Sequence, residues 1–240
     1  MHVGVDQYLF AAVVVLLGSV VQGTIGFGLN LLAAPFIALV IPEALPVTLV
    51  LVAWPIGAIA AVREHHALDR TTLPWLLVGA LPGTLVGLAI VTQASTNDLA
   101  IIIGAVTVLG VVASFVTPPI HVGRASAGIA GFLSNVTGTA AAVGGPPVAL
   151  LYQYHRGPTV RATLGVFFWT SATLTVIGYA ATGEITADRA LLALGLIPIM
   201  LAGFWSSRHF HTFVDRRWLR PAVLALCAVA GTAAILRGAL

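Results

Sequence analysis

Two groups of polar and glycine residues lie inside long stretches of this chain that carry no Asp, Glu, Lys or Arg. The stretches are residues 7–42 and residues 125–155. The residues whose types suit ligand binding are Gln22, Thr24, Gly26, Gly28 and Asn30 in the first stretch, and Asn135, Thr137, Thr139, Gly144 and Gly145 in the second. An apolar segment interrupted at corresponding places in two halves of a chain is the best sequence pointer to a ligand site in a membrane protein.

These residue types suit the binding of an anion. We expect the second half-helix of each stretch to begin near Ile25 and near Thr139, with its N-terminus in the middle of the membrane, where its N–H groups carry a positive partial charge. Glycines allow close backbone approach, and neutral amides and hydroxyls can donate to oxyanion oxygens. The competing interpretation is helix packing through small and polar residues. We favour packing for Gly18, Gly83, Gly87 and Gly131.

The apolar segments contain few ionisable side chains. They are Cys227 and the four tyrosines. This leaves no buried carboxylate for a proton relay, no intramembrane histidine cluster for a metal and no serine–histidine pair for proteolysis. We therefore predict no enzymatic activity, no metal site and no cofactor, and the single cysteine excludes an intrachain disulfide.

The composition is that of an integral membrane protein. The chain is 59% hydrophobic and 8% charged, against about 25% charged residues in soluble domains. We predict one all-α polytopic domain, 1–240, with single spans at about 44–62, 71–93, 99–117, 162–183, 190–207 and 221–236. The net charge of +3 comes from arginines in short loops, which favours contact with lipid headgroups over nucleic acid.

The two uncharged stretches are too long for one straight span. As a helix, the 36 residues of 7–42 would extend about 54 Å, against a hydrocarbon core of about 30 Å. If each stretch crosses once, the arginines divide five to six between the two faces. If each returns to its own side, they divide nine to two, with only Arg189 and Arg237 on the minority face.

The positive-inside rule favours the second arrangement. We therefore predict two re-entrant hairpins and both termini in the periplasm, although two full crossings per stretch would give the same parity. Arg63 and Arg161 flank spans on the cytoplasmic face. There we expect them to orient the chain rather than to attract anions.

The chain contains an internal repeat, with repeat 1 at about 7–118 and repeat 2 at about 124–237. Gly79-x-x-Pro82 with Gly87 recurs at a shift of 116 as Gly195-x-x-Pro198 with Gly203. Gln22 aligns with Asn135 and Pro35 with Pro147, at shifts of 113 and 112. One hairpin plus three transmembrane helices per repeat gives an odd number of crossings, so we predict two inverted repeats, with the site where they meet.

Several of these motifs resemble the sulfite exporter family (TauE/SafE) of small bacterial membrane transporters. The resemblance covers essentially the whole chain and rests on the Gln-Gly-x-x-Gly-Phe-Gly run from Gln22 with Pro35, its echo from Asn135 to Pro147, and the polar loop with Arg161. It implies transport of small organic or inorganic anions, often sulfite or sulfonates, across the bacterial inner membrane. The glycine triplet common in that family is replaced here by Gly26-Phe27-Gly28 and by Gly144-Gly145-Pro146.

Together these features predict a secondary transporter, an exporter of a small anion such as a sulfur oxyanion, that works by alternating access at two facing helix breaks. A passive anion channel, an importer coupled to Na⁺ or H⁺, and a non-transporting membrane partner of another protein remain alternatives. The expected partners are a small anionic substrate and the lipid bilayer. A homo-oligomer is left open.

Overall fold

The computed structural model describes residues 3–63, 67–118, 120–155, 157–210 and 216–239. Within these residues the chain forms ten α-helices and a short 3₁₀ helix, Pro42–Ala44, and no strand. The helices are α1 Val5–Ile25, α2 Leu29–Ala38, α3 Val47–Arg63, α4 Leu73–Gln93, α5 Thr96–Val116, α6 Arg124–Ala141, α7 Gly145–Leu151, α8 Gly157–Ala181, α9 Ala187–Phe210 and α10 Arg216–Ala239. Arg156, one of the arginines used to predict the topology, lies outside the described residues.

The prediction of an all-helical polytopic protein is confirmed. In the described part of the chain, five helices are long and apolar enough to cross a membrane, namely Val5–Thr24, Leu73–Gln93, Thr96–Val116, Pro158–Ala181 and Ala187–Ser207. Each of the six single spans expected from the sequence coincides with one helix, α3, α4, α5, α8, α9 or α10. Of these six helices, α3 and α10 have apolar segments that are shorter than the five candidate spans, Val47–Val62 and Val223–Ala239.

Both uncharged stretches are broken, as predicted, but the breaks lie later than expected. The second helix begins at Leu29 rather than near Ile25, and at Gly145 rather than near Thr139. The first arms are also not half-helices. With 21 and 18 residues, α1 and α6 are about 31 Å and 27 Å long, so only α2 and α7 are short.

Left-handed backbone stops the first helix at each break. Gly26 has φ 100° and donates its N–H to the Gln22 carbonyl at 2.8 Å, and Gly28 has φ 128°. At the second break Ala142 takes the same role with φ 59°. A residue in this conformation cannot continue a right-handed helix, and glycine adopts it at the least cost.

The two left-handed stops differ in position by 116 residues (142 − 26), and so do Gly28 and Gly144. This is the shift that relates Gly79 to Gly195, not the shift of 112 to 113 expected from Gln22 and Pro35. In the structure Pro35 lies inside α2 and Pro147 in the first turn of α7. The two prolines therefore do not mark equivalent points of the breaks.

After each break the chain returns along the helix it has just left. Leu29 packs on Gly18 of α1, and the Gln7 side chain at the start of α1 donates to the Val40 carbonyl at 3.0 Å. Gly144 packs on Ser134 of α6 in the same way. Each broken stretch is thus a helical hairpin with one long and one short arm.

A polar cluster ties the end of the second hairpin to the loop before α4. The Tyr152 hydroxyl donates to the Asp69 carboxylate at 3.0 Å and also contacts the Thr72 hydroxyl. Partial burial raises the pKa of Asp69, but the hydrogen bonds from Thr72, from Tyr152 and from the N–H groups of Thr71 and Thr72 together outweigh it, and the pKa lies below its usual value. The cluster therefore holds a carboxylate in its charged form.

The long helices pack across the two halves of the chain. Helix α1 lies against α9, α6 against α4, α3 against α8, and α5 against α10. Glycines make the closest of these contacts possible. A Cβ added at Gly79, Gly83 or Gly131 would lie 2.0–2.4 Å from a backbone oxygen of the facing helix, so no larger residue fits between α4 and α6.

Candidate functional site

A cavity of about 100 Å³ lies between the two helix breaks. Phe27, Gly28 and Asn30 line it from the first break, and Ala142 to Gly145 from the second, with α3 and α8 closing the remaining sides. The breaks touch each other, since the Phe27 ring lies 3.2 Å from the point where a Cβ on Gly145 would stand. One water needs only about 10–15 Å³ of cavity volume. The cavity can therefore hold several waters or an anion of a few heavy atoms.

The N-terminus of α2 opens on this cavity and is partly capped. The Gln22 side-chain oxygen accepts the Leu29 N–H at 3.0 Å, and the Gly28 carbonyl accepts the Leu32 N–H at 3.0 Å. The N–H groups of Asn30 and Leu31 have no hydrogen-bond partner among the described residues. They are the donors that a helix N-terminus offers to an anion.

Two side chains on the cavity wall carry buried polar atoms without a partner in the described part of the chain. They are the Oδ1 of Asn30 and the Oγ of Ser171, a residue only 6% exposed. No hydrogen bond fixes the Asn30 amide, so it can present either its oxygen or its nitrogen. An unmet buried polar group costs about 1–3 kcal/mol, a cost that a polar ligand in the cavity would remove.

The second break offers fewer backbone donors than the first. Helix α7 begins Gly145-Pro146-Pro147, and proline has no N–H. The Ser134 hydroxyl donates to the Gly144 carbonyl, so that carbonyl is already satisfied. Helix α7 therefore lacks the N–H groups that residues 146 and 147 would otherwise offer, whereas the N–H groups of Gly144 and Gly145 have no hydrogen-bond partner among the described residues.

Asn135 lies on the cavity wall with its amide nitrogen already engaged. Its Nδ2 donates to the Ala80 carbonyl at 3.1 Å and to the Thr84 hydroxyl at 2.7 Å, both on α4. Since a carbonyl oxygen can only accept, this bond fixes the amide orientation. Asn135 thus joins α6 to α4, and only its Oδ1 is left for another partner.

The structure brings six of the ten predicted site residues together around the main cavity. They are Gln22, Gly28, Asn30, Asn135, Gly144 and Gly145. Gly26 lines a smaller cavity beside it. Neither cavity is lined by Thr24, Thr137 or Thr139.

The hydroxyls of these three threonines have other partners. Thr24 donates to Val21 at 2.8 Å and Thr137 to Leu133 at 2.9 Å, each within its own helix. The Thr139 hydroxyl pairs with that of Thr175 on α8 at 2.9 Å. Near a helix break, short hydroxyls can bond carbonyls one turn back, which the sequence did not distinguish from a ligand role.

Sequence reasoning missed the contribution of α8. Ser171, Thr175 and Phe168 line the cavity, and so does Ser134 beside Asn135. Ser171 and Thr175 are four residues apart, one helical turn, within an apolar span. That spacing is a usable signal, but only their position opposite the breaks makes them wall residues.

The cavity lining is neutral. It includes no Asp, Glu, His, Lys or Arg, and no group of three or more His, Cys, Asp or Glu side chains that could hold a metal occurs among the described residues. Its polar groups are amides, hydroxyls and backbone N–H groups. Such groups can hold a ligand by hydrogen bonds but offer no ion pair.

Searches of curated proteins and of solved structures found no match to the chain. A family model described as "Sulfite exporter TauE/SafE" matches residues 10–234, which include the whole cavity wall, the second hairpin and all but the first five residues of α1 in the first hairpin. The chain therefore belongs to the sulfite exporter TauE/SafE family.

Proposed function

We propose that this membrane protein is a secondary transporter that exports a small anion, a sulfur oxyanion such as sulfite or a sulfonate. The observation that carries the proposal is the neutral polar cavity between the two helix breaks. The substrate would bind there, and the two hairpins would open the cavity to each face of the membrane in turn. Family membership supports a sulfur anion as substrate.

The donors around the cavity favour an anion. The free N–H groups of Asn30 and Leu31 stand at the positive end of α2. The Ser171 hydroxyl, which has no partner among the described residues, lines the same cavity. Of the residues first predicted as ligands, we retain Gln22, Gly28, Asn30, Asn135, Gly144 and Gly145. The first three would contribute most, because Pro146 and Pro147 deprive α7 of two backbone donors.

Export fits a site without charge. An inside-negative potential drives an anion outward with about 2.3 kcal/mol per charge per 100 mV. An exporter of this kind needs no buried carboxylate to carry a proton, and none lines the cavity. A neutral site also lets the anion leave, because no ion pair has to be broken.

We further propose that the protein is built as two inverted repeats, about 7–118 and 124–237, with both termini in the periplasm. The first hairpin begins beside α9, where Tyr8 donates to the Gly195 carbonyl at 3.0 Å. Just after the hairpin, the Glu43 carbonyl accepts from Arg189 at the start of α9. The second begins and ends beside the start of α4, where Arg124 stacks on Trp75 and Tyr152 contacts Thr72.

Contacts between α3 and α8 support the opposite orientation of these two ends. Gly57 packs on Trp169 and Gly165 on Ala60, so α3 and α8 run antiparallel. Helix α4 follows α3 and α9 follows α8, which gives their starts opposite ends of the bundle. Arg189 and Arg237 also bond to the first-hairpin end, at the carbonyls of Glu43 and Ala38, in line with a periplasmic minority of arginines.

Flux measurements in proteoliposomes test the transport function. We expect purified protein to move sulfite, thiosulfate or a small sulfonate with saturation and counterflow, and faster when the potential drives the anion. Ser171→Ala should raise the KM about tenfold or more, because it removes a hydrogen bond to a charged ligand. Ser114→Ala is the matched control, since the Ser114 hydroxyl already bonds to Gly110 within α5.

Three outcomes would contradict the proposal. Flux without saturation or counterflow would instead indicate a channel. An absolute requirement for Na⁺ or for a proton gradient would indicate a coupled importer. A Ser171→Ala variant with the wild-type KM would place the binding site elsewhere.

A further inference from the structure

A second, smaller cavity of about 30 Å³ adjoins the main one. Gln22 and Ile56 line both cavities, so the two spaces lie on either side of these side chains. The other walls of the smaller cavity include Gly26, Ala60, Arg161 and Phe204. It thus differs from the main cavity in one chemical respect, the presence of a cation.

The Gln22 amide is oriented so that its donors remain available. Its oxygen accepts the Leu29 N–H at 3.0 Å, and because a backbone N–H can only donate, the amide cannot be turned the other way. The Gln22 Nε2 has no hydrogen-bond partner among the described residues. It is also not fully buried, since the buried polar atoms that lack a partner do not include it. The Nε2 atom therefore keeps some accessible surface, and Gln22 lines both cavities.

The aliphatic stem of Arg161 packs on the first helix break. Its Cγ lies 3.0 Å from the point where a Cβ on Gly26 would stand. Only glycine provides that space at a residue with φ 100°. An arginine side chain is permanently charged and carries five donors in a planar fork that matches the oxygens of an oxyanion.

We propose that the smaller cavity is a second anion site, at which an oxyanion binds to Arg161 and Gln22 before it passes into the main cavity. We call it the outer station, because it lies outside the main cavity, on the side of Arg161 and thus of the predicted cytoplasmic face. This inference rests on the proposed transport function and extends it. Arg161 then does more than orient the chain in the membrane. A cation beside low-dielectric walls raises the local concentration of anions, and Gln22 faces both stations and can keep one hydrogen bond through the transfer.

The outer station makes transport at low substrate sensitive to salt. Attraction of an anion by an accessible cation is screened as ionic strength rises. Arg161 should therefore lower the KM most at low ionic strength. A side chain that only stabilises the fold would not produce this dependence.

The test compares Arg161→Gln, Arg161→Lys and Arg124→Gln in proteoliposomes, with sulfite as the probe at low and high ionic strength. Arg124 is the matched control, because it stacks on Trp75 at the start of α6 and lines neither cavity. We expect Arg161→Gln to raise the KM about tenfold or more at low salt and to abolish its salt dependence. Arg161→Lys should keep most of that dependence, and Arg124→Gln should behave as wild type.

A wild-type KM and salt dependence in Arg161→Gln would overturn the inference. So would a variant that is less stable but has a wild-type KM in its folded fraction, since Arg161 would then serve only the fold. If Ser171→Ala impairs transport and Arg161→Gln does not, the second station fails while the proposed function stands. Absence of any anion flux by the wild-type protein would remove the proposed function itself.

Discussion

At the level of single residues, the candidate ligands differ in whether their hydroxyls already have hydrogen-bond partners. Thr24 and Thr137 have the right chemistry, but each bonds to its own helix. Ser171 has the same type of hydroxyl with no partner among the described residues, on the wall of the cavity. A buried polar atom without a partner is costly, and its position at the cavity identifies Ser171 as a stronger candidate than either threonine.

Ala142 is the one described non-glycine residue with a left-handed backbone. This conformation costs an L-residue roughly 1–2 kcal/mol. Replacement by glycine removes that cost but lowers stability by about 0.4–1 kcal/mol, because glycine raises the conformational entropy of the unfolded chain. We expect Ala142→Gly to leave the free energy of unfolding unchanged or slightly higher, as measured by thermal unfolding in detergent.

The reverse substitution at another left-handed site is the control. Gly183 has φ 76° and nothing within 4 Å of an added Cβ, so Gly183→Ala should lower stability by the backbone cost alone. If Ala142→Gly is as harmful as Gly183→Ala, the left-handed backbone at Ala142 is not what ends the helix.

At the level of elements, close packing of α4 on α6 fixes the second hairpin. A Cβ on Gly131 would lie 2.0 Å from the Leu76 carbonyl oxygen, whereas a Cβ on Gly128, one turn earlier on the same helix, would be 3.9 Å from its nearest neighbour. This confirms the expectation from the sequence that Gly131 serves packing.

The pair supplies a matched test of that packing. Gly131→Ala should reduce the free energy of unfolding by about 1–3 kcal/mol through overpacking. Gly128→Ala should be neutral or raise it by up to about 1 kcal/mol through helix propensity. Thermal unfolding of the detergent-solubilised variants would measure both, and equal effects would contradict the close contact.

The cluster at Asp69 joins the loop before α4 to the end of the second hairpin. Because the pKa of Asp69 in the folded protein lies below its usual value of 3.8, the carboxylate stabilises the fold at neutral pH. That contribution is lost as the pH falls below about 4 and through the folded-state pKa. Wild-type Tm should therefore fall on acidification.

Asp69→Asn should lower the Tm at pH 7 and flatten its fall between about pH 5 and pH 3. Asp6→Asn, at an exposed position in the first turn of α1, is the control and should leave the acid dependence as in wild type. An Asp69→Asn variant with the full wild-type acid dependence would show that the cluster does not link protonation to stability.

At the scale of the whole molecule, we propose that the two halves have opposite orientations in the membrane. Cysteine labelling in cells tests this arrangement at Glu43→Cys and Pro158→Cys, both exposed positions. The native Cys227 is buried and would be replaced by alanine. Position 43 should react with an impermeant reagent from the periplasm and position 158 only from the cytoplasm.

Labelling of both positions from one side would refute the inverted arrangement. The Cys227→Ala protein with no added cysteine provides the background signal. A variant with a single cysteine at Asn97, exposed at the start of α5, adds a third point, which should react from the side where α4 ends.

The sequence by itself determined the class of the protein and the existence of two breaks. Uncharged stretches longer than one span cannot form straight membrane helices, and glycine, amide and proline residues inside them mark where the helix stops. It also located most of the helices, because apolar length alone defines them. These properties are local, so they can be read along the chain.

Only the tertiary structure decided which polar residues face the cavity. Whether Thr139 or Ser171 is a wall residue depends on the rotation of α6 and α8 and on which hydroxyls have partners, and neither is encoded in spacing. The same holds for Arg161, which stands at the start of α8 in sequence but packs on Gly26 at the first break. The cavity wall is assembled from four separate segments, and only packing brings them together.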